Sequence, residues 1–226
     1  MKTAVLTLTA AAGLLLLASA SNTRASIEAG QGGASFDLGN ITDNVETIMN
    51  QIIEQPAGDV PADQAGGNIA AYLGMIRQAE GTASAADPWR VCYGYRHTIA
   101  DLSDHPAITG EWRGERLPDA MCINAGFGPG CVSTAAGAYQ IIKPTWLKMQ
   151  AALSLPDFGQ ASQDAAAVEL IRRRGALQDV MAGRIAAAID KTRNEWASLP
   201  GNYAKQGQRS QTTLISWYEQ NGGTFA

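Results

Sequence analysis

Glu80 stands where a carboxylate is expensive to keep. Ile69, Leu73, Ile76 and Glu80 recur at spacings of four, three and four, so in a helix over Ile69–Glu80 the carboxylate shares a stripe with three aliphatic side chains. Desolvation on that stripe, and the negative end of the helix dipole in the last turn before Gly81, both raise its pKa. A raised pKa is what a general acid working near neutral pH requires. The plainer alternative is a residue that skirts the core edge with its head in water. Other reactive types are present. Ser103, His105 and an aspartate can be drawn as a triad, but they crowd together in sequence without a nucleophile elbow, and capping and turn roles suit Asp101, Ser103 and Asp104 better. Cys122 and Cys131 bracket a turn-rich loop that can close as a disulfide, with Cys92 left over as a free thiol or as a competitor for either partner. A zinc set of Cys92, His97 or His105, Cys122 and Cys131 can be drawn, yet its spacing matches no common metal pattern. The reading calls for no metal and no cofactor.

The elements that must position these groups are mainly helices. Beyond Ile69–Glu80, helices are expected over Pro144–Leu153, Ser162–Arg174 (stopped by Gly175), Gln178–Ser198 and about Ser210–Gln220. Arg172, Arg173 and Arg174 fall in a last helical turn, where the dipole favours cations. Between about Trp89 and Tyr139 no helical period appears, and loops with a short irregular sheet are expected. The fold class is therefore α+β, predominantly α-helical, with its main domain over 68–226. Residues 22–67 read as a linker holding one amphipathic helix, about 43–55, which packs on the domain or docks on a partner or a membrane surface.

Residues 1–21 carry an address. Lys2 precedes an apolar run, 3–20, that ends in Ala18-Ser19-Ala20, as in a cleaved secretory signal or a weakly hydrophobic membrane anchor. Either way the rest is exported, which permits disulfides. With 17 Lys and Arg and a net charge of −4 in 226 residues, nucleic acid is not the expected partner.

Several short motifs occur in one order: Glu80-Gly81-Thr82, Gly94-Tyr95, Ser103-Asp104-His105-Pro106, Ser133-Thr134 followed by Gly137 and Tyr139-Gln140, Ser162-Gln163-Asp164-Ala165, Arg174-Gly175-Ala176-Leu177, Trp196-Ala197-Ser198-Leu199-Pro200-Gly201 and Gly222-Gly223-Thr224. In this the chain, from about Asn68 to Ala226, resembles the lambda endolysin-type lytic transglycosylases of the lysozyme-like superfamily. The resemblance implies a lysozyme-like fold and a peptidoglycan-cleaving enzyme with Glu80 as its sole essential acid. It implies that Tyr139 and Gln140 line the glycan cleft, and Tyr95, Asp104, His105, Ser133 and Thr134 are expected to bind substrate with them. The expected partner is the glycan strand of peptidoglycan, in the periplasm of a bacterial host. Membrane contact through residues 3–20 and virion partners through residues 43–55 stay open. Two departures stand out: Arg96 occupies a position that is acidic in that family, and Trp112–Cys131 is a longer, cysteine-bearing insertion. The alternatives are a hydrolytic muramidase, with Glu80 as acid and Asp101 or Asp104 holding a water, and a non-catalytic wall-binding or virion structural protein.

Overall fold

The first long helix begins earlier than its periodicity predicts. In a computed structural model describing Thr47, Asn50, Gln51, 60–202 and 207–226, helix α1 spans Ala62–Ala79. It thus takes in a stretch expected to be linker. Pro61 precedes its first turn, where Asp63 suits the dipole. Gly66 and Gly67 are poor helix formers, but packing overrides propensity here: Ala65 and Asn68 are already buried. Thr47, Asn50 and Gln51 are helical and exposed. The rest of the 43–55 helix and the whole of residues 1–40, export segment included, lie outside the described residues.

Helix α2 (Pro106–Thr109), strand β1 (Glu115–Arg116), helix α3 (Asp119–Asn124) and strand β2 (Val132–Ser133) form the region without helical period. The strands pair antiparallel, Glu115 opposite Ser133 and Arg116 opposite Val132. The two short helices here were not legible, since neither runs long enough to show a period. Then come α4 (Lys143–Leu153), α5 (Gln160–Arg173), α6 (Leu177–Met181), α7 (Ile185–Thr192) and α8 (Gln211–Gln220). The single helix expected over Gln178–Ser198 is two helices. Gly183 separates them with φ of 74°, and a Cβ there would lie 2.2 Å from the Thr224 carbonyl oxygen. Only glycine allows both the turn and the close approach.

Helix α5 is the centre of the core, buried from Ser162 to Ile171. Its buried charges are matched: the Glu169 carboxylate accepts from Arg172 Nε and Nη2 at 2.6 and 2.8 Å and from Arg173 Nε at 2.7 Å. These bonds hold Glu169 below the usual carboxylate range despite burial. The arginine run is therefore structural for Arg172 and Arg173, and Arg174 pairs with Glu195. Helix α1 packs against α8 and α6, and its Tyr72 hydroxyl shares a buried 2.7 Å hydrogen bond with Thr192 on α7. The chain end closes over the same helices. Asn68 Nδ2 donates to the Met181 carbonyl at 2.9 Å, and its Oδ1 accepts from the Thr224 N–H at 2.8 Å.

Candidate active site

Glu80 is the C-cap of α1, and Gly81, at φ 79°, turns the chain out of the helix. Two bonds then fix the turn beyond the helix. Thr82 Oγ1 donates to the buried Ala138 carbonyl at 2.6 Å. The Tyr95 hydroxyl donates to the Gly81 carbonyl, from a residue itself at φ 57°. Glu80 is thereby clamped between the helix end and the turn over 136–141.

The Glu80 carboxylate is partly buried, and its Oε1 accepts a 2.6 Å hydrogen bond from Ser198 Oγ. Burial pushes its pKa up to about 7; the Ser198 hydroxyl and N–H, and more distantly the Arg209 guanidinium, pull the other way. The group is consequently protonated at mildly acidic pH yet able to release its proton near neutrality. Ser198 is itself held firmly. Its carbonyl accepts from Arg209 N–H at 2.8 Å, and the neighbouring Trp196 indole donates to the Tyr139 carbonyl at 3.1 Å. Arg209 packs over the Trp217 ring, 5.9 Å from its centroid.

Glu80 opens onto a cleft of about 1180 Å³, larger than most small-molecule pockets and suited to an extended chain. Four of the residues expected to bind substrate, Tyr95, Ser133, Thr134 and Gln140, line it. Their polar atoms also serve the fold. Thr134 Oγ1 accepts from Lys143 N–H at 3.0 Å, Ser133 Oγ from Ala135 N–H at 3.3 Å, and Gln140 Nε2 donates to the Val91 and Gly137 carbonyls. The cleft-lining carboxylates among the described residues are Glu80 and Glu195, and Glu195 is held by Arg174.

Two expected site residues, Asp104 and His105, lie elsewhere, and a third lines the cleft without opening to it. Tyr139 borders the cleft only from beneath: it is 1% exposed, and its hydroxyl donates to buried Asp164 while accepting from Arg77 Nη1 at 2.9 Å. Gln140, at φ 48°, turns the chain so that Tyr139 goes to the core and Gln140 to the cleft. His105 is fully buried, edge-on to Phe158. Its Nδ1 accepts from Ala107 N–H, capping α2, and its Nε2 donates to the Ile141 carbonyl at 3.0 Å. Burial lowers its pKa, consistent with that neutral tautomer. Asp104 accepts from His105 N–H and the Trp146 indole, both at 2.7 Å. Asp104 and His105 thus clasp α2 to α4 and do not line the cleft, and with both ring nitrogens engaged the Ser/His/Asp triad is not assembled. Asp101 forms a turn, accepting from Ser103 N–H at 2.8 Å. Cys122 and Cys131 are joined as a disulfide while Cys92 is a buried free thiol, so the drawn zinc set has lost two of its ligands.

Ser198 and Arg209 escaped assignment. Ser198 lay within the Trp196–Gly201 motif, but its contact with Glu80 spans 118 residues, and no local pattern reveals such a pair.

Comparisons with known proteins bear on the same region. The family described as Endolysin matches residues 70–225. The endolysin of Escherichia phage P2 is 38% identical over 70% of this chain and 95% of its own length, and that of Escherichia phage lambda is 35% identical over 68% and 90%. Among solved structures, bacteriophage lambda lysozyme complexed with a chitohexasaccharide superposes with a TM-score of 0.59 at 33% identity, covering 71% of this chain and 97% of the other. A second structure of lysozyme from bacteriophage lambda gives 0.55 at 30% identity, with the same coverage.

Proposed function

The chain belongs to the endolysin family, and from that premise we propose that it cleaves the glycan strands of peptidoglycan as a lytic transglycosylase, with Glu80 as serial acid and base. One observation carries the reading: a single carboxylate with pKa near 7 faces a long cleft in which the only other carboxylate among the described residues is tied to an arginine. Glycosidases that use water as nucleophile ordinarily set two carboxylates across the scissile bond. With one, the substrate's own hydroxyl is the economical nucleophile.

The steps balance without water. Protonated Glu80 gives its proton to the oxygen linking N-acetylmuramic acid to N-acetylglucosamine, and the bond from that oxygen to the muramic C1 breaks. The Glu80 carboxylate then takes the proton of the muramic 6-hydroxyl, whose oxygen bonds to C1. The product is a 1,6-anhydro ring, and Glu80 is protonated again. Ser198 steadies the carboxylate in the charged interval between the two transfers, and Arg209 lowers the energy of that charge from farther away. Tyr95, Ser133, Thr134 and Gln140 are proposed to contact the strand along the cleft.

Mass spectrometry of digested murein tests this directly. Anhydro ends are expected; reducing ends would mark hydrolysis and overturn the transglycosylase reading. Loss of lysis with retained murein binding in Glu80→Gln is expected for an enzyme, whereas unchanged lysis would point to a different active group.

The proposal includes a place of action. Residues 1–21 direct export to the periplasm, where endolysins meet murein, either by cleavage after Ala20 or as a weak anchor released later. N-terminal sequencing of the protein recovered from cells distinguishes the two: a start at Ser21 marks cleavage, an intact start marks the released anchor, and protein that stays in the cytoplasm would count against both.

A further inference from the structure

The insertion between Trp112 and Ser133 carries a feature that its role as a loop does not explain. Helix α3 ends in two reverse bonds, Gly126 N–H to the Ile123 carbonyl at 3.0 Å and Phe127 N–H to the Cys122 carbonyl at 2.8 Å, with Gly126 at φ 81°. This is a Schellman termination, in which the hydrophobic residue after the glycine usually folds back onto the helix residue five before it. Here that residue is Cys122, whose sulfur is bonded to Cys131. Phe127 does not fold back: it is 65% exposed and stands on the rim of the cleft that holds Glu80. Val132, Ile142 and Tyr95, each more than two-fifths exposed, continue the apolar rim. Single exposed apolar side chains need no explanation, but four that line one cleft offer a ligand there apolar surface to cover.

The loop is braced against movement. Leu117 N–H donates to the Cys131 carbonyl at 3.0 Å, and Gly130 N–H to Asp119 Oδ1 at 2.8 Å, so the disulfide and two hydrogen bonds close it at both ends. A solvent-facing aromatic ring on a closed loop, with two side-chain torsions to fix, loses little conformational entropy on meeting a ligand. The ligand that fits such a ring at the edge of a polar cleft has one face of C–H groups and a rim of hydroxyls, which describes a pyranose.

We propose that Phe127 is a sugar-stacking platform that adds one subsite to the cleft, and that the Cys122–Cys131 bond holds it in place. The inference rests on the glycan reading above and names a contact that only this insertion supplies. Its ligand is the C–H face of an N-acetylhexosamine ring.

The test uses the full-length chain carrying Glu80→Gln, so that no turnover occurs, titrated calorimetrically with a hexasaccharide of N-acetylglucosamine. Adding Phe127→Ala weakens binding about tenfold, while Phe127→Trp stays within about twofold of the parent. Reduction with dithiothreitol weakens the parent by a similar factor and leaves the Phe127→Ala protein unchanged. Because Phe127 is exposed, its loss does not compromise folding. Binding by Phe127→Ala within about twofold of the parent overturns the platform, and an equal loss on reduction in both proteins overturns the disulfide's role. Failure of the parent itself to bind would sink the glycan reading, and this inference with it.

Discussion

Ser198→Ala is the perturbation that probes Glu80 without touching it. The Ser198 hydroxyl gives Glu80 Oε1 a 2.6 Å hydrogen bond, and burial alone would push the carboxyl above the value of about 7 that it reaches with this help. A hydrogen bond to a charged group is worth roughly 1.5–3 kcal/mol, and one pKa unit is about 1.4 kcal/mol. Loss of the hydroxyl therefore raises the pKa by about one to two units. The Ser198 N–H remains, and water can enter from the open cleft, so the lower end applies. The assay is the pH profile of kcat/KM for murein lysis, whose basic limb reports the acid in the free enzyme. That limb should sit near pH 7 in the parent, and about one unit higher in Ser198→Ala. Ser198→Thr, which keeps the hydroxyl, should return it to the parent position. A limb that stays in place or moves down in Ser198→Ala would refute the assigned role, as would a threonine variant displaced equally far.

The same contacts predict four further outcomes. Glu80 has a folded-state pKa raised from 4.5 to about 7, so native protein binds more protons than unfolded protein in that window and stability falls as pH rises through it. Glu80→Gln removes the penalty: urea unfolding should show no difference from the parent at pH 4 and a gain of at most about 3 kcal/mol at pH 8, and a gain that does not depend on pH would contradict the burial argument. Tyr139→Phe leaves buried Asp164 without its hydroxyl donor and should cost about 1–3 kcal/mol of stability with KM for murein unchanged; a raised KM with an unchanged melting temperature would instead give the Tyr139 hydroxyl a direct part in substrate binding. Gly183→Ala must distort a left-handed turn and displace the Thr224 carbonyl, so a loss of about 1–3 kcal/mol is expected, with faster hydrogen exchange around Thr224; an unshifted melting temperature would refute it. His105→Ala removes the α2 cap and the tie to Ile141 and should lower stability by about 2 kcal/mol or more, without a new limb in the pH–activity profile.

Where the sequence spoke clearly, the signal was local. The stripe Ile69, Leu73, Ile76 marked both the buried face of α1 and the inward placing of Glu80. Gly81, Gly175 and Ser210 marked helix ends that the structure keeps. The failures share a cause of another kind. Gly183 breaks a good helical pattern because Thr224 lies against it, and the stretch before Asn68 is helical because Ala65 and Asn68 are buried on the core face. His105 and Asp104 have the composition of an active centre, but their donors and acceptors are already matched to Ile141, Ala107 and Trp146. Chemical type suggested reactivity; only the packing showed that the capacity was occupied. Ser198 is the converse, an unremarkable serine made important by a distant loop.

The long reach from Glu80 to Ser198 and Arg209 has a temporal meaning. A ribosome makes Glu80 early and the segments that tune it late, and the Asn68 clasp closes only on Thr224. Until Ser198 and Arg209 are in place, the carboxylate lacks the hydroxyl and the guanidinium that oppose its burial. The reactive carboxylate is thereby assembled from both ends of the domain, and neither end carries it alone.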